Sequence, residues 1–546
     1  MIYNVFAILL SFLIPILLLF ADVKKEKNLK KFIRNNYKII IMYCVFVIGF
    51  LVRSVSIDKY PKGLNCDEAS SGYEAFSILN YGIDRNENSF PVFLEAWGSG
   101  QNALYTYIMI PFVKLMGLNI ISTRLPMVLI SCVSLIVWFK LLKEIKGENF
   151  AIIGLCFLAI CPWHIMKSRW GLESNVFPDL TLYAIFYIVK YIKENKCNYL
   201  YIASMVLGIT GYSYGTSYFF LPIFCFLLYI YLLCTKKAKI TSILISLLII
   251  FIICLPIMLY VVINTFDLNQ INLGFMTIPK LPVNRYEQQT SLFDGNILYN
   301  FIINFKNSFE ILIKQNDGCT WNCINGFGIY YIFSLPLLII GLIEVIKNNE
   351  KNQWIINVWF IAAFLLLFVF KEININRINI LFFPLIYYIS DGLYLVIKEK
   401  NIYLNIGIIF IYTIFFVLFE IKYFNDDNKN FVFVDDIKEM IEYVDLIETD
   451  NIYIDYSFKE PYIYILYYTK CDVHTFINTV QYFDSNNLGR FDNVKAFGKY
   501  KFYLPNKKLE QNEICVLKKN DNINYELYKN YKIKEFKEYV VIMGEN

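Results

Sequence analysis

Charge is what this sequence has least of. Asp, Glu, Lys and Arg make up 18% of the 546 residues, and 57% are hydrophobic. An ordinary soluble domain has about 25% and about 45–50%. The shortage excludes a wholly soluble protein and an intrinsically disordered one. Histidine is scarcer still, with only His164 and His474, which argues against a Cys/His zinc site. Thirteen cysteines are present, but Cys44, Cys132, Cys156, Cys225, Cys234 and Cys254 lie inside apolar runs, where cysteine behaves as a small hydrophobe. Cys319 and Cys323 flank Thr-Trp-Asn, and either a disulfide or two free thiols suits that loop. Net charge is only +5, from 51 basic and 46 acidic residues, so no nucleic-acid partner is expected. There is no repeat of fixed period and no low-complexity tract.

Long apolar runs are what the chain has instead. They lie near 3–20, 38–55, 121–140, 149–165, 177–192, 199–213, 217–234, 240–263, 327–346, 354–370, 378–397 and 402–420. Twelve spans of about 20 residues take up about 240 residues, leaving room for large loops and one further domain. A signal peptide carries its charge before the apolar run. Here Lys24, Lys25, Lys27, Lys30, Lys31, Arg34 and Lys38 follow the first run, so it reads as a span with its N-terminus outside. The clusters Lys140/Lys143/Lys146, Lys190/Lys193/Lys196, Lys236/Lys237/Lys239, Lys347/Lys351 and Lys398/Lys400 all fall on one side in a twelve-span count, the cytoplasmic side by the positive-inside rule. The short apolar segment 104–117 would break that alternation as a span and is expected as a helix along the outer interface. Four segments then share the outer side: 57–120, 166–176, 264–326 and everything from 421.

Beyond 421 the composition changes. Ile437, Met440, Ile441, Val444 and Ile447 follow helical spacing. Ile452–Ile454, Lys501–Tyr503, Ile514–Val516 and Tyr539–Ile542 read as strands. The fold class expected is a polytopic α-helical membrane protein of about twelve spans with outer-face loops and a small C-terminal α/β domain. Its parts are N-terminal spans (1–56), a first large outer loop (57–120), a transmembrane core (121–420) and an extracytoplasmic domain (421–546). Gly211-Tyr-Ser-Tyr-Gly215 matches a small-residue pattern for helix packing.

The first outer loop carries Asp67-Glu68, within Gly63-Leu-Asn-Cys-Asp67-Glu68-Ala-Ser-Ser-Gly72-Tyr73. It continues through Asp84-Arg85 and Trp97-Gly98-Ser99-Gly100-Gln101-Asn102 to Arg124-Leu-Pro126. A carboxylate near the membrane surface can take a proton from an attacking hydroxyl. The plain alternative is a pair of solvated loop charges. Further on come Pro162-Trp-His164, Lys167-Ser168-Arg169-Trp-Gly-Leu-Glu173 and, before the span at 378–397, Asn376-Arg377.

In these residues, over roughly 60–420, the chain resembles the polytopic glycosyltransferases of the GT-C fold class that use lipid-phosphate-linked sugars. It is similar to the dolichyl-phosphate-mannose–protein mannosyltransferases and to the bacterial aminoarabinose transferases of lipid A. The resemblance implies transfer of a monosaccharide from a polyprenyl-phosphate donor to a hydroxyl on a glycan, lipid or protein acceptor, at the outer face of the cell membrane. Asp67 matches the family's catalytic acid, with Glu68 beside it as the alternative. The leaving phosphate needs cations, and Arg377, Arg169 and Lys167 are the candidates. For each, snorkelling or interface anchoring is the structural alternative. Glu173 would hold Arg169 or bind a sugar hydroxyl, and His164 would touch the phosphate or the sugar, with a hydrogen-bonded interface histidine as the structural alternative. A base opposite the leaving phosphate implies inversion, through oxocarbenium character as in glycoside hydrolysis.

No Gly-x-Gly-x-x-Gly or phosphate-loop motif occurs, which disfavours a nucleotide-sugar donor. No cofactor is implied. Asp67-Glu68 could bind a divalent metal, but no second acidic cluster in the outer loops points to one. The extra N-terminal span and the C-terminal domain depart from the family and leave the acceptor open. A flippase of lipid-linked glycans is the main alternative function. It would favour ionisable groups at mid-membrane, whereas these candidates gather at span ends. A non-catalytic wall-assembly or receptor protein is the third.

Overall fold

The computed structural model describes residues 2–26, 28–96, 100–282, 296–324, 326–347, 353–371, 373–399, 401–425, 433–434, 436–455, 460–483, 494–506, 508–519 and 531–544. Lys27, Trp97–Ser99, Lys351 and Lys400 lie outside them. The chain divides into two compact units. The first comprises 1–60, 124–255 and 286–428, and the second 61–123, 256–285 and 429–546. The first outer loop and the C-terminal region, expected as separate parts, thus belong to one unit.

The first unit is helical, because a chain in hydrocarbon must satisfy every backbone N–H and C=O within itself. Among the described residues seven helices are long and apolar enough to cross a membrane: Ile2–Asp22, Leu29–Ser54, Ile120–Lys146, Ser217–Cys234, Ile240–Thr265, Ile375–Lys398 and Ile402–Tyr423. The run at 149–165 forms Glu148–Ala159 and Pro162–Ser168, bent by 61°. Pro162 begins the second piece, where its missing N–H costs no hydrogen bond. The other expected spans form Glu173–Glu194, Cys197–Thr210, Leu335–Lys347 and Trp354–Leu365. These are too short or not apolar enough to count as spans on the same grounds. The chain is a multi-pass membrane protein.

Close helix packing relies on glycine, but not at the expected pair. Gly211–Gly215 lies in the turn after Cys197–Thr210 and before Ser217–Cys234. Gly341 and Gly392 bring Leu335–Lys347 and Phe382–Lys398 together instead. A Cβ on Gly341 would stand 1.9 Å from the Tyr388 carbonyl oxygen, and one on Gly392 would stand 2.0 Å from that of Leu337. Backbones this close admit no larger residue. The expected loop 264–326 also contains a helix, Ile297–Lys314. Its Phe301 and Phe305 stack on Phe368, and Asn304 and Ser308 donate to the carbonyls of Phe368 and Leu367. Cys319 and Cys323 are free thiols. Cys323 Sγ donates to Asn316 Oδ1 at 3.0 Å.

In the second unit, residues 433–544 build a seven-stranded mixed sheet. Its order is Lys532–Glu535, Tyr539–Met543, Glu513–Lys518, Asn451–Ile454, Tyr500–Lys501, Val494–Phe497 and Gln481–Tyr482. Asn451–Ile454 is central and runs parallel to both neighbours, and the other pairs are antiparallel. The helix Ile437–Asp445 buries Ile437, Met440, Ile441 and Val444, the positions expected. The strand expected at 501–503 ends at Lys501, because Phe502 turns inward onto Phe497. Helices Pro461–Thr469 and Val473–Thr479 follow the central strand. The segment 61–123 contributes Cys66–Tyr81 and Leu104–Met116.

Candidate active site

Asp67 and Glu68 open the helix Cys66–Tyr81, and the local sequence dictates its start. Asn65 is extended and caps the helix, its side chain accepting from the Asp67 N–H at 2.8 Å. Three residues on, the Glu68 carboxylate returns to accept from the Asn65 N–H at 3.2 Å. This reciprocal pair satisfies two of the helix's orphan donors. Glu68 is therefore 0% exposed and occupied in the cap, while Asp67, one residue earlier and on another face, is half-buried. Adjacent residues on a helix point about 100° apart, and here that separates a structural acid from an accessible one. The Asn65-x-x-Glu68 spacing is the sequence signal for this cap.

Behind Asp67 the same helix carries a buried polar stripe at Ser70, Glu74 and Ser77. Arg85 Nη1 lies 2.9 Å from Glu74 Oε1 and donates to Ser70 Oγ at 2.9 Å. Ser77 Oγ donates to the Ile83 carbonyl. Asp84 Oδ1 accepts from the Asn86 and Asn88 N–H groups, both at 2.8 Å. Asp84-Arg85 is thus a buried brace for the loop. Burial pushes the Glu74 carboxyl up to about 8 against the pull of Arg85, and burial likewise raises Asp84 against its hydrogen bonds from Asn88 and Asn86.

In the first unit, three fully buried arginines serve the C-terminal end of Leu29–Ser54 and the turn after it. Arg53 Nη1 donates to the Gly49 and Ala159 carbonyls. Arg124 Nη1 donates to that of Ile57 at 2.9 Å. Arg169 donates to Val52 at 3.0 Å, Val55 at 2.8 Å and Tyr60 at 3.2 Å. A helix end leaves carbonyls unpaired and partly negative, and guanidinium groups complete them. Arg169, expected as a phosphate ligand, has both terminal nitrogens occupied in this way, and its guanidinium stands 4.8 Å from the Phe424 ring and 5.8 Å from that of Tyr423.

His164 and Lys167 meet on one carboxylate. Lys167 Nζ donates to Asp179 Oδ2 at 2.5 Å, and His164 Nε2 lies 3.7 Å from Asp179 Oδ1. Ser134 Oγ donates to the same Oδ1 at 2.7 Å, and Arg53 Nε donates to His164 Nδ1 at 3.1 Å. Trp163 stands under the Lys167 ammonium, 5.0 Å from it. The cluster lies wholly in the interior. His164 and Lys167 are both buried against Asp179. Arg53 and Asp179 were not among the sequence candidates, although a charge inside an apolar run is a signal.

The segments that carry Arg377 and Glu173 are brought together. Arg377 sits on the short helix Ile375–Ile378, whose cap Asn374 accepts from its N–H at 3.0 Å. Asp317 Oδ2 takes the Ile375 N–H at 2.8 Å. Asn379 Nδ2 donates to the Ser174 carbonyl at 2.8 Å, which seats this segment against the start of Glu173–Glu194. Glu173 is half-buried in the first turn of that helix, at the positive end of its dipole.

Residues 102–260 match the model of the family described as dolichyl-phosphate-mannose-protein mannosyltransferase. No curated protein matches the chain. Among solved structures, apo ArnT from Cupriavidus metallidurans is similar with a TM-score of 0.54 and 11% identity, over 93% of this chain and 98% of that one. ArnT of the same organism bound to undecaprenyl phosphate gives 0.43 and 12%, over 66% of this chain and 60% of that one. The Archaeoglobus fulgidus oligosaccharyltransferase in its apo form gives 0.46 and 12%, over 79% and 64%. The chain thus spans less than two thirds of these last two. It shares the GT-C fold of ArnT, and its residues 102–260 resemble the dolichyl-phosphate-mannose-protein mannosyltransferases.

Proposed function

We propose that the protein is a membrane glycosyltransferase that moves a monosaccharide from a polyprenyl-phosphate donor to an acceptor hydroxyl at the outer membrane face, with inversion. The match of residues 102–260 to the mannosyltransferase family carries this reading. Asp67 is the general base. It is the half-buried member of the acid pair, whereas Glu68 is fully buried and its carboxylate accepts from the Asn65 N–H in the cap. As the acceptor oxygen bonds to the anomeric carbon, Asp67 takes the hydroxyl proton. The carbon–oxygen bond to phosphate breaks, and its electron pair leaves with the phosphate. Arg377 is the cation assigned to that phosphate on the family resemblance, and its short helix is seated against the start of Glu173–Glu194.

Transfer by the purified full chain, from labelled polyprenyl-phosphate mannose and aminoarabinose donors, tests the assignment. Asp67→Asn keeps the shape but cannot accept a proton, and turnover should drop about 10²–10⁴-fold with donor binding retained. The product anomer should be opposite to that of the donor. An Asp67→Asn protein that turns over like the parent removes the base, and retained configuration removes the single displacement.

A further inference from the structure

The C-terminal domain stands out in this unit because it reaches back to the residue on which the proposed reaction depends. The strand Leu64–Asn65 pairs antiparallel with Phe433–Val434, Leu64 opposite Val434 and Asn65 opposite Phe433. Asn65 is the cap of Cys66–Tyr81, so the last residue of this ladder is the residue that starts the helix. From the other side, Tyr464 on the helix Pro461–Thr469 donates its hydroxyl to the Leu64 carbonyl at 3.2 Å. Both Tyr464 and Leu64 are fully buried, so water cannot replace that bond.

The docking continues down the helix. A Cβ on Gly72 would stand 2.7 Å from Tyr467 Cε2, so only glycine lets that ring sit here. The Tyr467 hydroxyl meets Thr123 Oγ1 at 2.8 Å, and Tyr73 donates to the Cys471 carbonyl at 2.8 Å. At the far end Tyr81 donates to Asp472 Oδ2 at 2.6 Å. One face of Cys66–Tyr81 therefore rests on the C-terminal domain along its length, and the other holds the Ser70–Glu74–Arg85 brace.

We infer that the C-terminal domain positions the base, with Tyr464 and the Phe433–Val434 strand fixing the Leu64–Asn65 backbone from which Asp67 projects. The inference rests on the assignment of Asp67 as base. Tyr464 is a positioning residue that acts through Asp67 and touches no reacting atom. A peptide held by two β-bridges and one phenol bond in a dry interior has a narrow range of Asp67 orientations. A misplacement of about 1 Å in such a group costs turnover steeply.

The test uses the full chain and four variants: Tyr464→Phe, Tyr81→Phe, Asp67→Asn and the Asp67→Asn/Tyr464→Phe double. Tyr464→Phe removes one oxygen and keeps the ring. Hydrogen exchange should quicken at the Asn65–Ser70 amides in Tyr464→Phe and stay at the parent rate at Phe76–Gly82. Tyr81→Phe should do the reverse. In transfer from polyprenyl-phosphate mannose or aminoarabinose, Tyr464→Phe should lower kcat about two- to tenfold with donor KM unchanged. It should cause no further loss in the Asp67→Asn background, because the effect passes through that carboxylate. Tyr81→Phe should retain parental turnover. Parental exchange at Asn65–Ser70 in Tyr464→Phe overturns the inference. So does an equal loss in the Asp67→Asn background, or an equal loss in Tyr81→Phe. Parental turnover by Asp67→Asn alone removes the base assignment instead, and the exchange result then decides separately whether Tyr464 holds this backbone.

Discussion

Asp179 and Lys167 offer the sharpest separation of a structural role from a substrate-binding one. Lys167 Nζ reaches Asp179 Oδ2 at 2.5 Å, with side-chain exposures of 2% and 0%. Asp179→Asn removes the negative charge, keeps the acceptor oxygen for Ser134, and leaves the ammonium buried beside His164 and Arg53. Breaking a buried pair by removing one partner costs about 3–5 kcal/mol, because the remaining charge has no compensation. Lys167→Met alone should cost less, since Ser134 Oγ still donates to the orphaned carboxylate at 2.7 Å. The double variant Lys167→Met/Asp179→Asn removes both charges and should be more stable than Asp179→Asn alone, with a coupling of about 1–3 kcal/mol. Reversible SDS-induced unfolding of the purified chain, followed by helicity, measures all four corners of the cycle. Binding of polyprenyl phosphate by the folded double variant is the second readout, and it should match the parent. Additive destabilisation would show that the pair is not coupled. Loss of lipid-phosphate binding in a stable double variant would return Lys167 to the donor site and refute the structural role.

Arg377→Ala should reduce transfer roughly tenfold to over a hundredfold, the worth of a charge-assisted contact to phosphate. Arg377→Lys should recover only part of it, since a point charge replaces a fork; normal transfer by a folded Arg377→Ala protein removes this cation. The raised carboxyl of Glu74 gives a pH signature. A group whose value goes from 4.5 to about 8 on folding contributes stability below 4.5 and loses it as pH rises through about 8. The melting temperature of Glu74→Gln should therefore gain on that of the parent between pH 4.5 and 8, and a difference that is flat or runs the other way contradicts the burial argument. Gly392→Val should fail to assemble the Leu335–Lys347 and Phe382–Lys398 pair, seen as loss of monodisperse protein in detergent, because its Cβ meets backbone at 2.0 Å. For topology, a cysteine replacing the exposed Leu446 should be labelled from outside in intact cells and one replacing Ile346 should not; the opposite pattern inverts the scheme.

The apolar helical runs and the strands Asn451–Ile454, Glu513–Lys518 and Tyr539–Met543 were legible in the chain, because each is a local pattern. An apolar run, a period of two, or the Ile437/Met440/Ile441/Val444 spacing shows itself within a few turns of backbone. The Asn65-x-x-Glu68 cap was equally local and could have separated Glu68 from Asp67 in advance. What each charge does with itself was not legible. Arg169 reads as a cation at the end of a span, yet the carbonyls it meets belong to Val52, Val55 and Tyr60, more than a hundred residues earlier. Lys167 reads as a phosphate ligand, yet the carboxylate of Asp179, three helical turns on across a break, takes its proton donors into the interior. The same holds for the C-terminal domain, whose sequence says only that it is α/β. Its contact with Leu64 through Tyr464 joins positions four hundred residues apart. Hydrophobic periodicity is written into neighbouring residues, whereas the partner of a buried polar group is chosen by which distant backbone arrives within about 3 Å, and only the packed chain decides that.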